Sequence, residues 1–171
     1  MKFYLGIDES NNGRTPEFVV GVASTFEEDV FGNSIDKRRG NRNIPSLLVA
    51  RDFLYTIIEK KHKEDYNVSR LKIISYSQLI MGFLEEIGEL ELVIIDGEVN
   101  KKTLTGVRNI LFENGLDSRV NRIVGIPKGD ITYCVVNIAD QIANYLLRQH
   151  RIYKESREKN EYKEHLIELK A

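Results

Sequence analysis

Three apolar runs in this chain end in acids. "YLGIDE" ends in Asp8 and Glu9, "LVIID" ends in Asp96, and "GIPKGD" reaches Asp130. Carboxylates held close together repel one another, and their ionised form is costly without a cation. Oxygen-rich clusters of this kind suit Mg2+ or Mn2+. Two such ions, about 3.5–4 Å apart, clamp the attacking and leaving oxygens of a phosphodiester. That chemistry needs neither histidine nor cysteine. The three histidines, His62, His150 and His165, lie in charged stretches that read as helix, and Cys134 reads as a small apolar residue near a helix start. Each acid taken singly also reads as a turn or capping residue. It is the pair at Asp8–Glu9 together with "VIIDG" that reads as a site.

These acids need strands to bring them together. In an open α/β sheet, sites gather beyond the carboxyl ends of the strands. Residues 2–8 read as a first strand and residues 17–26, "EFVVGVASTF", as a second, joined by a turn that carries Asn11, Asn12, Gly13 and Pro16. Residues 30–35 read as a short third strand. Residues 36–43, "DKRRGNRN", form a polar, basic loop. Pro45 and Ser46 open an expected helix that runs to Lys63, with Leu48, Phe53, Leu54, Ile57 and Ile58 on one side. A second helix is expected over residues 69–87, where Ile73, Ile74, Ile80, Phe83, Leu84 and Ile87 recur at three- and four-residue spacing. Residues 90–96, "LELVIID", look like a strand buried on both faces. A helix follows over residues 102–114 with Gly115 at its C-terminal cap, then a strand over 122–127 and a long helix over 135–151. Strands first, then strands alternating with helices, imply a mixed α/β sheet flanked by helices.

The composition narrows the class. The chain has 171 residues, 42% hydrophobic and 30% charged, which fits one globular domain. Its 25 Lys and Arg against 26 Asp and Glu give a net charge of -1. The protein is therefore not coated in positive charge, although a local basic groove is compatible with that total. A single cysteine excludes an internal disulfide framework and a cysteine-rich zinc site. No apolar run approaches the roughly 18–20 residues of a membrane span, and no signal peptide is evident, so a cytoplasmic location is expected. The expected domain covers residues 1–152, and residues 153–171 form a charged, helix-prone tail. In the basic loop, Lys37, Arg38, Arg39 and Arg42 are candidates for phosphate contact or for plain solvation.

"GIDES" (6–10), "VIIDG" (93–97) and "KGDITYCVVNIAD" (128–140) occur in the order used by ribonuclease H-like proteins. They most resemble type 2 ribonuclease H, also called ribonuclease HII. That family opens with Gly-Ile-Asp-Glu-Ala-Gly-Arg-Gly, carries a later strand ending Asp-Gly, and places Lys-Gly-Asp or Lys-Ala-Asp before a helix that begins near a tyrosine. Here Tyr133, Val135, Val136 and Ala139 follow Asp130 at the family's spacing, and "LKIISYSQLIMGFL" (71–84) resembles its preceding helix. The resemblance implies a ribonuclease H-like fold and a metal-dependent endonuclease. Asp8, Glu9, Asp96 and Asp130 would hold Mg2+ or Mn2+, as two ions, and the nucleic acid would be an RNA–DNA hybrid or a relative of it.

Two departures stand out. The family's Gly-Arg-Gly, which reads the ribose 2′-hydroxyl, is replaced by Ser10-Asn11-Asn12-Gly13-Arg14, with the Gly-Arg pair displaced by two positions. A family lysine is replaced by Asn144, within "NIADQIANYLL". That stretch resembles a second ribonuclease H-like family, which starts Asp-Glu-Ser-Gly and ends on an Ala-Asp helix. On that resemblance the last ligand is Asp140. In one unbroken helix Asp130 and Asp140 would lie about 15 Å apart along the axis, whereas a break between them would let both approach. Arg14 and Lys128 join the basic loop as candidate nucleic-acid contacts. A non-catalytic nucleic-acid-binding or protein-interaction module on the same fold is the alternative reading.

Overall fold

The computed structural model describes residues 2–11, 13–25, 52–152 and 162–170. Strands β1 (Tyr4–Glu9) and β2 (Glu17–Ser24) form the expected hairpin, antiparallel from Tyr4–Ser24 to Glu9–Val19. Strand β3 (Asp52–Ile58) pairs antiparallel with the far side of β2. A short helix α1 (Lys60–Asp65) leads to the long α2 (Val68–Ile87), which is capped by the Asn67 side chain accepting from Arg70 N at 2.8 Å. Strand β4 (Leu90–Asp96) lies parallel to β1. Helix α3 (Lys101–Glu113) begins at Asn100, whose side chain accepts from Thr103 N at 2.8 Å, and ends before Gly115 at φ 70°. Strand β5 (Val120–Ile126) runs parallel to β4. One helical turn, α4 (Gly129–Thr132), precedes α5 (Cys134–Ile152). The sheet order is β3-β2-β1-β4-β5, so β1 is central. This is the mixed α/β sheet that the sequence implied.

Residues alternate between the two faces of each strand, which gives two cores. Leu5, Ile7, Val93 and Ile95 meet Ile74, Phe83, Val107 and Leu111 of α2 and α3. Tyr4, Val20, Val22 and Ile94 meet Val135, Ile138 and Ile142 of α5. Helix α5 lies directly on the backbone of β1. A Cβ on Gly6 would sit 2.7 Å from the Val135 carbonyl carbon and 2.8 Å from its oxygen. Only glycine permits that approach.

The helix expected from Pro45 to Lys63 is corrected. Residues 52–58 are a strand, the first helix begins at Lys60, and residues 45–51 lie outside the described residues. The run "DFLYTII" carries aromatic and β-branched residues, and both its faces are used. Phe53 and Tyr55 pack toward α5, while Leu54 and Ile58 pack toward α2. Hydrogen bonding to β2 then decides in favour of strand. The strand expected over 30–35 and the basic loop of Lys37, Arg38, Arg39 and Arg42 also lie outside the described residues.

The expected helical tail differs as well. Of residues 153–171, those described (162–170) contain only a 3-10 turn, Lys163–His165, followed by extended chain. Leu166 bridges to Tyr55 in parallel, and Ile167 N donates to Tyr55 O at 2.8 Å. The His165 ring stacks on Phe53 with centroids 4.0 Å apart, and Leu169 is buried. An edge strand presents unpaired backbone groups, and here the tail satisfies some of those of β3.

Gly6→Ala tests the α5–β1 approach. We expect it to cost about 3 kcal/mol in urea unfolding, since neither backbone can yield without moving a helix. A cost below about 1 kcal/mol would show that the helix moves freely.

Candidate metal centre

Parallel pairing of β1 and β4 aligns their carboxyl ends. The ladder runs from Tyr4–Leu92 to Ile7–Ile95, and the next residues are Asp8 and Asp96. Asp8 shares the face of Tyr4 and Gly6, and Asp96 shares the face of Ile94, so both stand on the α5 side. Asp130 comes from α4. Its backbone N–H donates to Asp96 Oδ1 at 3.0 Å, and its carbonyl accepts from Asn137 Nδ2 at 2.7 Å. One carboxylate oxygen from each of Asp8, Asp96 and Asp130 lies within 4.8 Å of the others. Tyr133 is extended between α4 and α5, so the chain from Asp130 to Asp140 is not one helix. Asp130 and Asp140 consequently line the same cleft. Asn144 Nδ2 donates to Asp140 Oδ1 at 3.1 Å.

Asp8 is the electrostatic centre. It is 5% exposed. Its Oδ1 accepts from Glu9 N at 2.7 Å, while its buried Oδ2 has no partner. Burial pushes its carboxyl up to about 9, with Asp96, Asp140 and Asp130 adding repulsion and the Glu9 N–H opposing it. Burial also raises Asp96, against the amide N–H of Asp130 and despite its own half-exposure. A buried, unpartnered carboxylate oxygen facing other acids has the chemistry of a cation ligand.

Glu9 parts from Asp8. Adjacent strand residues point to opposite faces, so Glu9 turns toward α2. There Lys72 Nζ pairs with its Oε1, and the Tyr76 hydroxyl donates to its Oε2 at 2.9 Å. Burial and Glu9 together hold the Tyr76 hydroxyl well above its usual range, so it stays a donor. Glu17 lies nearby, 2% exposed, with a buried Oε1 that lacks a partner, and burial followed by Glu9 raises its carboxyl. The cleft at this edge has a volume of about 500 Å³, and Asp8, Glu9, Lys72, Asp96, Asp130 and Asp140 all line it.

All five acids singled out from the sequence therefore reach one cleft. Arg14 is exposed on the β1–β2 turn, and Lys128 is exposed at the start of α4 in left-handed conformation (φ 55°). Neither lines the cleft. Sequence reasoning missed Lys72, Tyr76, Glu17 and Asn137. The available signal was weak: Lys72 and Tyr76 are four apart, hence on one helix face.

No family model matches the chain, and no curated protein matches it. Solved structures do. Ribonuclease HII from Archaeoglobus fulgidus, in complex with PCNA, is 18% identical and matches with a TM-score of 0.65 over 90% of this chain and 77% of its own. Ribonuclease H2 from Pyrococcus horikoshii is 14% identical with a TM-score of 0.64, over 91% and 78%. Bst-RNase HIII, in complex with Mn2+, is 16% identical with a TM-score of 0.66, over 90% and 55%. With strand order, parallel β1–β4 pairing and helices on both faces already in hand, the fold of this chain is ribonuclease H-like, resembling that of the type 2 ribonucleases H.

Proposed function

We propose that the protein is a divalent-metal-dependent nuclease that hydrolyses phosphodiesters in RNA–DNA hybrid or a related nucleic acid. The observation that carries this reading is the convergence of Asp8, Asp96 and Asp130 within 4.8 Å, with Asp8 Oδ2 buried and unpartnered. An all-oxygen donor set fits Mg2+ or Mn2+. A bound ion there would supply positive charge to the attacking water and to the leaving oxygen. Asp8, Asp96 and Asp130 would hold it, with Asp140 on the same cleft as the further candidate ligand. The Asp130 N–H keeps the Asp96 carboxylate aimed at the cage, and Asn137 keeps α4 in place. Lys128 and Arg14, both exposed, are assigned to the nucleic-acid backbone.

The decisive experiment is cleavage of RNA–DNA hybrid, single-ribonucleotide duplex, single-stranded RNA and DNA duplex, in Mn2+, Mg2+ or EDTA. Asp96→Asn keeps the oxygen that accepts from Asp130 N and should still fold. It should lose at least about 100-fold in rate. Preference for ribose-containing substrates would assign ribose reading to the Arg14 turn. Absence of cleavage, with nucleic acid still bound in excess EDTA, would replace the nuclease with a binding module.

Apo stability supplies a second prediction. Asp8 titrates at about 9 when folded against an ordinary 3.8. The folded state therefore binds the proton more tightly. Its contribution is complete below about pH 4 and is lost as pH rises toward 9. Asp8→Asn removes this loss. In EDTA the variant should match wild type near pH 4 and exceed it by roughly 2–4 kcal/mol at pH 7. Equal stability at both pH values would mean that burial does not raise the Asp8 carboxyl in the folded protein.

A further inference from the structure

The two carboxylates of Glu9 and Asp8 have opposite fates, and the difference bears on how many ions the site takes. Asp8 Oδ2 is bare, whereas both Glu9 oxygens are engaged, one by Lys72 and one by Tyr76. Among the described residues that line the cleft, Lys72 is the only cation. Its side chain is 32% exposed, so its ammonium meets the cleft while remaining paired. Asp140, the other acid outside the group of three, has one oxygen occupied by Asn144. Of the acids left in the cleft for a second ion, Glu9 is thus engaged at both oxygens and Asp140 at one.

We infer that Lys72 is a built-in cation: it holds Glu9 away from the metal cage, restricts the site to one divalent ion, and presents its own ammonium to a phosphate oxygen of the substrate. No bond forms or breaks at Lys72; it acts as a point charge on a compact, flexible stem. Glu9 and Tyr76 are positioning residues for it. This inference rests on the nuclease reading above, and it replaces the two ions that the family resemblance implies.

Mn2+ titration followed by electron paramagnetic resonance and calorimetry counts the ions without reference to activity. Wild type and Lys72→Arg, which keeps the charge, should bind one ion per chain. Lys72→Met, similar in length but uncharged, should bind two, because Glu9 is released and the charge it balanced is gone. Below saturation its cleavage rate should rise with the square of the Mn2+ concentration, whereas that of wild type rises with the first power. Tyr76→Phe should leave the count at one and weaken only the geometry. Two ions in the wild-type protein would overturn the inference and leave the nuclease standing. One ion in both wild type and Lys72→Met would also overturn it, since charge would not be what limits the count. No ion in the wild type would overturn the nuclease reading itself. Lys72→Gln, also uncharged, repeats the count if Lys72→Met fails to fold, and one ion in it would likewise overturn the inference.

Discussion

Strands β1 and β4 lie side by side and parallel, and that pairing has a cost which the rest of the molecule answers. Parallel alignment brings the carboxyl ends of both strands to one edge, with Asp8 and Asp96 as the residues just beyond Ile7 and Ile95. Two carboxylates emerging from adjacent buried strands repel each other in a poorly solvated place. The protein does not relieve this by moving one away. It adds Asp130 and Asp140, and covers Asp8 until it is 5% exposed. Burial of that kind without a partner destabilises a fold, a cost that a cation bound there would offset.

The neighbouring elements hold the cluster rather than soften it. Gly6 lets α5 rest on the β1 backbone, which brings Asp140 over Asp8. The break at Tyr133 lets α4 turn Asp130 back toward Asp96, where its amide N–H restrains the carboxylate. Asn137, fully buried on α5, reaches the Asp130 carbonyl, and Gln141 pairs with Asn137 one turn further on. This chain of side-chain contacts ties the acid on α4 to the helix that packs on the central strand. On the other face, Lys72 and Tyr76 satisfy Glu9 from the middle of α2. One strand end thus serves two differently charged environments, on opposite faces of the strand.

The far edge of the sheet shows a different constraint. β3 is an edge strand, and the described tail residues cross it from the α5 side to the α2 side. Tyr162 and Leu166 join one core and Ile167 and Leu169 the other. Gln78 of α2 exchanges hydrogen bonds with the backbone of Lys170. The described tail thus covers part of the β3 edge, while the acids line the cleft at the carboxyl ends of β1 and β4.

Much of the core fold was legible locally. "LVII" before Asp96 read as a buried strand, and the periodic apolar positions of residues 69–87 marked α2 to within a residue of its start. The acids at the strand ends were legible for the same reason, since a carboxylate directly after an apolar run has few places to go. Where partners lay far along the chain, local pattern was not enough. Residues 52–58 carry apolar positions compatible with a helix, and only hydrogen bonding to β2 makes them a strand. Leu169 lies in a tail that read only as charged and helix-prone, and it is buried in a core built by elements many residues earlier in the chain. The sequence by itself determined which acids stand at the ends of which strands, because that depends on neighbours in the chain. Only the tertiary structure decided that Asp130 and Asp140 reach one cleft and that Glu9 turns to Lys72, because those outcomes depend on a helix break and on a charge 63 positions away, brought close by packing.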